Sequence, residues 1–460
     1  MSLQTLFSQY AFVRVNGKSR VMDKKDGSLM TVADFKSYTA NYPPVTNGNR
    51  QQSAASAWIE SQSRETYSGI VFKPGEPPAS PGKQYNSWQG WGVKPSNKGC
   101  CEAFTSLLYE GVCNSDDESY EYEILKMAHM VQKPQIKPGV ASVYQGLKGT
   151  GKSALVRYLE KIVGSNYTVH ASRTEDLIGK FNAELGHCLL LNAEEACWAG
   201  DKKGEGALKH LITEPNIRVE IKGVDAHMAP SYSRVYMTSN EDWVVPATGD
   251  ERRYHVLKVN ENFKGNKSFW DLFHQEMQSG GPEKLLQELL KYPIPADFNV
   301  HEPPKTLGLC EQIEQSLNPM QRWWKETLNN GSIRLPSYGG SDVFCSIHSD
   351  DKLQLPTRQK YADSFNHFQK QLRFGCNGSE TEVTKFLTSL HGDNVKPIRP
   401  GTENPRPRRW QFSDLSLLRD DYDRKVVMTK WDLDDVNLKL VEQEDDQTSL
   451  EPILNKLLAE

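Results

Sequence analysis

The sequence predicts an α/β fold: a central domain of alternating strands and helices, an α+β segment ahead of it, and a helix-and-strand region after it. Three observations carry this expectation. The apolar run Val140 to Tyr144 reads as a short buried strand and leads into the glycine-rich stretch Gly146-Leu147-Lys148-Gly149-Thr150-Gly151-Lys152-Ser153. Directly after it, Leu155, Leu159, Ile162 and Val163 recur at helical spacing, with Gly164 as a stop signal. An apolar run, Cys188 to Leu191, fit for a buried strand, is followed closely by Glu194-Glu195, and a short β-rich run, Arg234 to Asn240, ends in an amide where the carboxyl end of an α/β strand binds ligands.

Residues 1–132 form the first segment. It opens on a hairpin signal: Tyr10 to Val15 alternates, Asn16-Gly17 supplies a tight turn, and Ser19 to Met22 returns. The Pro- and Gly-rich stretch Lys73 to Lys83 reads as a loop, and Trp88 and Trp91 beyond it as packing residues. Tyr120 to Met130 has a helical pattern, separated from the next strand by Lys133-Pro134 to Pro138-Gly139.

Residues 133–262 hold nearly all the recognisable chemistry. The glycine stretch fits the pattern G-x-x-x-x-G-K-[ST] at every fixed position. Gly146, Gly149 and Gly151 let the backbone close around an anion and aim N–H groups inward, at the N-terminus of the following helix. In such a loop Lys152 reaches the β- and γ-phosphates and the Ser153 hydroxyl holds Mg²⁺, so ATP and Mg²⁺ are the expected ligands. Glu194-Glu195 follows the second apolar run; one carboxylate suits the metal and the other the attacking water. Glu195 is assigned as the base and Glu194 to the metal, with the reverse order open. Asn240 ends the run from Arg234 and is placed to hydrogen-bond the γ-phosphate and the attacking water. In Gly249-Asp250-Glu251-Arg252-Arg253, either Arg252 or Arg253 suits an arginine donated to developing phosphoryl charge, sometimes from a neighbouring subunit; a salt bridge with Asp250 or Glu251 is the plainer use.

Residues 263–304 read as helices and a linker marked by Pro293, Pro295, Pro303 and Pro304. Residues 305–430 mix helical patterns with turns: Gln321-Arg322-Trp323-Trp324 sits in a helix with its tryptophans in the core, and Phe365 to Leu372 and Glu382 to Leu390 suggest two more helices. Arg406, Arg408 and Arg409 then precede Trp410 and Phe412, so helices followed by a basic strand pair suit a winged-helix module. Residues 431–460 are acidic, in the manner of a solvated tail.

The chain has 460 residues, enough for two or three domains, and a net charge of -4, which argues against a generally basic nucleic-acid coat. No run of 18 apolar residues occurs and the N-terminus lacks a signal-peptide pattern, so a soluble cytoplasmic protein is expected, without a membrane partner. The eight cysteines are scattered, and the adjacent pair Cys100 and Cys101 lacks the spacing of a zinc site.

Phosphate loop, paired acids, Ser-Asn strand and double arginine fall within about 110 residues. This series resembles the superfamily 3 helicases of viruses, phages and plasmids, which are AAA+ P-loop ATPases. The segments Asn192 to Ala196, Trp198 to Asp201, Leu211 to Pro215 and Thr238 to Trp243 look like the helicase part of phage and mobile-element primase-helicases. The resemblance covers about residues 140–262. It implies a ring-forming homo-oligomer, usually a hexamer, with ATP sites between subunits, acting on single-stranded and forked DNA. It also implies a hairpin directed into a central channel; here Ile217 to Ile221 reads as one strand, and Lys222 and His227 are the candidate DNA contacts. Glu194 beside Glu195 departs from the family's acid beside asparagine, which leaves the division of labour between the two acids open.

The leading expectation is therefore an ATP-dependent DNA helicase for phage or mobile-element replication. Two alternatives stand beside it: an AAA+ ATPase that remodels or loads a protein partner without unwinding, and the helicase portion of a primase-polymerase system. The first segment shows no paired-acid and histidine constellation for nucleotide polymerisation, so that activity is not assigned to it; a primase or polymerase is a candidate partner, with its place on this or another chain left open. A small-molecule kinase fits less well, because Asn240 and the arginine pair suit hydrolysis by an oligomer.

Overall fold

Five short strands assemble into one parallel sheet, in the spatial order Thr168–Ala171, Leu190–Glu194, Arg234–Ser239, Ala141–Gln145, Tyr254–Lys258. The computed structural model describes residues 3–15, 17–47, 50–77, 83–173, 182–195, 202–220, 226–337, 341–372, 378–402, 405–429 and 431. Every residue of Ala141–Gln145 and of Arg234–Ser239 is buried, as expected for central strands covered on both faces. Parallel pairing puts the carboxyl ends on one edge: Glu194 lies opposite Thr238, and Ser239 opposite Gln145. The Leu190–Glu194 strand begins later than the apolar run suggests. The Leu189 N–H is used by Tyr167 O (2.8 Å), and ladder pairing starts one residue on.

Helix Lys152–Val163 follows the glycine loop and turns Leu155, Val156, Tyr158, Leu159, Ile162 and Val163 into the core. Burial of each such aliphatic side chain stabilises the fold by roughly 1.5–3 kcal/mol. Gly164 ends the helix at φ 90°, a conformation that penalises any side chain. Helix Asp117–Gln132, capped by Asp116 through the Ser119 N–H (2.9 Å), packs near the sheet and, unusually, carries Glu123, Lys126 and His129 buried. Leu107–Val112 just before it is a π-helix, with Leu107 beside Gly151 and Gly111 against Phe263.

The N-terminal hairpin pairs Tyr10–Val15 with Lys18–Asp23 in antiparallel register; Asn16, expected in its turn, lies outside the described residues. Tyr10 and Val21 join Leu6, Phe35 and Trp58 on one face, while Ala11, Val13 and Met22 meet Tyr67 and Tyr85 on the other. Trp88 is buried and packs edge-to-face on Trp91 at 5.0 Å.

By contacts the chain divides into two compact units, Met1–Ala247 with Glu251–Ser316, and Thr248–Asp250 with Leu317–Glu460. The first contains the hairpin, the sheet and helices Lys267–Gln278, Gly281–Lys291 and Leu307–Ser316. The second runs helix Pro319–Asn330, hairpin Ser332–Leu335 with Val343–Ser346, helices Arg358–Gln371 and Glu380–His391, hairpin Val395–Ile398 with Arg409–Phe412, and helix Leu415–Lys425. Trp323 and Trp324 are buried in its core, and the Trp324 indole donates to His391 Nε2 at 2.7 Å. Arg358 stacks its guanidinium on Trp410 at 3.8 Å. Among the described residues no helix is long and apolar enough to cross a membrane.

Candidate functional site

The carboxyl edge of the sheet opens into a cavity of about 560 Å³. Its lining brings together Gly149, Gly151, Lys152, Ser153, Glu194, Glu195 and Asn240, residues that come from three neighbouring strands and the loop between strand and helix. Lys152 opens the helix, and Gly151 before it holds φ 99° with no room for a side chain, since a Cβ would come within 2.6 Å of the Trp270 ring.

Lys152 is only 7% exposed and its ammonium is fully engaged. It donates to Gly146 O (2.5 Å), Leu147 O (2.7 Å) and Asn240 Oδ1 (2.9 Å). Burial pushes its pKa below the usual lysine value, and the Glu195 carboxylate partly opposes that shift. Asn240 Nδ2 in turn donates to Glu195 Oε1 at 3.1 Å. A continuous chain therefore runs from Lys152 through Asn240 to Glu195.

Two glutamines hold the backbone that follows Asn240. Gln145 Nε2 donates to Glu241 O (2.9 Å) and Asp242 O (3.0 Å). The buried Gln312 accepts from the Val244 N–H (2.7 Å) and donates to Asp242 O (2.8 Å). Glu195 is anchored by its own N–H to Thr238 O at 2.8 Å and sits at φ 56°, a left-handed conformation rare for a residue with a side chain. Glu194 points differently: its Oε1 is buried without a hydrogen-bond partner, 3.7 Å from Arg157 Nη2. A buried carboxylate oxygen without a hydrogen bond, in a cavity that Ser153 also lines, fits a cation or a bound water.

The other sequence candidates lie elsewhere. Gly146 is behind the cavity, donating to Ser239 O at 3.1 Å and offering its carbonyl to Lys152. Arg252 and Arg253 do not line the cavity. Their N–H groups both reach the buried Glu251 Oε1 (3.1 and 2.9 Å), and Arg253 Nη1 joins them at 3.0 Å. Arg253 O accepts from the Ala141 N–H (2.8 Å), tying this turn to the strand that carries the glycine loop. His227 is exposed at the start of His227–Pro230, which pairs antiparallel with Asn216–Val219. Lys222, expected near the hairpin tip, lies outside the described residues, as do Asp201 and the acidic tail after Trp431. Sequence reading missed Arg157, Trp270 and His274 in the lining. Arg157 falls one helical turn past Ser153, and Trp270 and His274 share an i, i+4 face, but neither spacing announces a ligand by itself.

On the far side of the same central strand lies a second polar cluster. Glu123 accepts from Ser142 Oγ (2.7 Å) and Tyr144 OH (2.9 Å), and lies 2.7 Å from His255 Nδ1. Lys126 Nζ donates to Ser142 Oγ at 2.6 Å. Burial by itself would raise the Glu123 carboxyl, but Lys126 and the His255 and Ser142 hydrogen bonds outweigh it and hold the group below the usual glutamate value. Burial pushes Lys126 down, against the pull of Glu123.

This arrangement of sheet, loop and edge defines an α/β domain built on a five-stranded parallel sheet. A family of unknown function, DUF5906, matches residues 144–253. The DNA primase-polymerase of Nitratiruptor phage NrS-1 is 26% identical over 145 residues, a segment that is 31% of this chain and 20% of that protein. Two apo structures of the C-terminal region of the NrS-1 protein superpose with TM-scores of 0.64 and 0.62 at 16% and 15% identity. They cover 89% and 90% of this chain and 98% of each structure, so the likeness of fold extends well beyond the matched sequence.

Proposed function

We propose that this chain is the ATP-hydrolysing, helicase-like portion of a phage-type primase-polymerase system. The observation that carries the reading is the hydrogen-bonded chain Lys152–Asn240–Glu195 in one cavity with Ser153 and Glu194. Lys152 and the N–H groups of Gly149 and Gly151 bind the phosphates. Asn240, followed by backbone that Gln145 and Gln312 hold, touches γ-phosphate and water, and Glu195 takes the proton from the attacking water. Ser153 and Glu194 would hold Mg²⁺, which would neutralise charge on the phosphate oxygens; the Glu194 oxygen, without a hydrogen bond but ion-paired to Arg157, is the group that would exchange its partner.

The same reading assigns Arg252 or Arg253 to a neighbouring subunit's site in an AAA+ ring of superfamily 3 type, a homo-oligomer, expectedly a hexamer. His227 and Lys222 would meet single-stranded or forked DNA from the hairpin, and the order helix, hairpin, two helices, hairpin in the second unit suits a winged-helix module. The likeness to a phage primase-polymerase supports replication in the host cytoplasm, beside a polymerising partner or domain.

Steady-state ATP hydrolysis with and without single-stranded DNA, using Lys152→Ala as the blank, tests the reading. DNA-stimulated turnover that disappears in the variant is expected. Turnover indifferent to DNA would overturn the motor and leave a protein-remodelling ATPase, and turnover retained in the variant would remove the glycine loop from the mechanism.

A further inference from the structure

Trp270 and His274 are the aromatic side chains among the described residues lining the cavity. Trp270 is locked in place. Its Nε1 donates to Phe263 O at 2.8 Å, its backbone N–H bonds to Asn266 O at 3.1 Å, and Phe269 and Phe273 meet it edge-on at 5.2 and 5.5 Å. The indole rests directly against Gly151 in the glycine loop, and it remains only half-buried. His274, one turn further along Lys267–Gln278 and exposed, holds its ring 6.3 Å away at an interplanar angle of 37°. Neither side chain takes part in the Lys152–Asn240–Glu195 chain, although all five residues line the same cavity.

A nucleotide whose terminal phosphates meet Lys152 and Asn240 must direct its base away from them, along the remaining cavity wall. A rigid, partly open indole is the group there with a π-face to offer. We propose that Trp270, flanked by His274, is the nucleobase platform of this site. Stacking reads the face of a base and not its hydrogen-bonding edge, so it tolerates different bases and favours larger ones. The substrate class is therefore purine nucleoside triphosphates, with GTP accepted alongside ATP. Trp270 is a specificity-determining residue and plays no part in the chemistry. This inference rests on the phosphate-site reading above.

The test is binding of ATP, GTP, CTP and inorganic tripolyphosphate, each with Mg²⁺, to the full chain and to Trp270→Leu and Trp270→Phe. Wild type is expected to bind ATP and GTP within about threefold of each other and CTP more weakly. Trp270→Leu should weaken both purine nucleotides roughly tenfold to a hundredfold, the value of one base–aromatic stack. Tripolyphosphate, which has no base, should bind that variant as it binds wild type, and Trp270→Phe should restore most of the nucleotide affinity. Equal loss of tripolyphosphate in Trp270→Leu would show that the indole merely props the loop through Gly151, and would overturn the platform. Unchanged ATP binding in that variant would overturn it too, and a preference for ATP over GTP beyond about thirtyfold would overturn the base tolerance. Failure of wild type to bind either ATP or tripolyphosphate would instead remove the phosphate site itself, and this inference with it.

Discussion

The central strand Ala141–Gln145 serves two polar clusters built from nearly the same residue types. Below it, Ser142 and Tyr144 meet Glu123, Lys126 and His255 in a space closed to solvent. At its end, the loop delivers Lys152 to Asn240 and Glu195 at the mouth of a cavity. In the closed cluster both Glu123 oxygens are hydrogen-bonded, and the charges on Glu123 and Lys126 offset each other through Ser142. In the open cluster the Glu194 oxygen has no hydrogen-bond partner and Lys152 leans on its own loop carbonyls. A lysine and a glutamate thus hold a sheet together in one place and are available for chemistry a few residues away. Access and an unmade hydrogen bond, not composition, separate the two.

The sharpest break in that comparison is Glu195→Gln. On the proposed mechanism it lowers turnover by about 10²–10⁴-fold, the usual contribution of a general base, while nucleotide affinity and melting temperature stay near wild type. An equal loss of nucleotide affinity would place Glu195 in binding instead. The mirror-image change, Glu123→Gln, leaves Lys126 buried without its counter-charge and is expected to cost about 3–5 kcal/mol in denaturant unfolding of the full chain. A loss under about 1 kcal/mol would mean that the closed cluster does not depend on charge pairing.

Acid should separate the clusters further. The folded-state pKa of Glu123 lies near 2 against an ordinary value of 4.5, so its contribution to stability is complete above 4.5 and fades as pH falls toward 2. Unfolding measured down that range should show wild type losing stability more steeply than Glu123→Gln. Parallel curves would contradict the lowered carboxyl. The smallest effect is expected for Ser142→Ala, which removes the hydroxyl linking Lys126 to Glu123 and should cost about 1–3 kcal/mol with little change in nucleotide affinity.

What could be read from the sequence follows from the range of each signal. The strand, loop and helix from Ala141 to Val163 are specified by adjacent residues, so glycine spacing and apolar periodicity suffice to place them. Glu195 and Asn240 could each be seen at the end of a strand. Their meeting depends on the sheet order, which sets Arg234–Ser239 between Leu190–Glu194 and Ala141–Gln145. Glu123 and Lys126 read locally as the solvated face of a helix; only their partners Ser142, Tyr144 and His255, all distant in sequence, make burial tolerable. Arg234 is similar. It opens a β-rich run, yet its guanidinium is buried against the carbonyls of Lys133, Pro134, Ile136 and Tyr232. The π-helix Leu107–Val112 is not legible in the sequence; Leu107 lies beside Gly151 and Gly111 against Phe263, both distant along the chain.

Glu195 occupies a backbone conformation that glycine or asparagine would hold at lower cost, by roughly 1–3 kcal/mol for a non-glycine residue in a sparsely populated region. On the proposed mechanism, drift and function pull this position in opposite directions. A lineage that no longer needed the acid would gain stability by discarding it, through a single change to glycine or asparagine. A carboxylate held in this left-handed turn at a cost in stability is, on that mechanism, a residue kept for its chemistry and not for the fold.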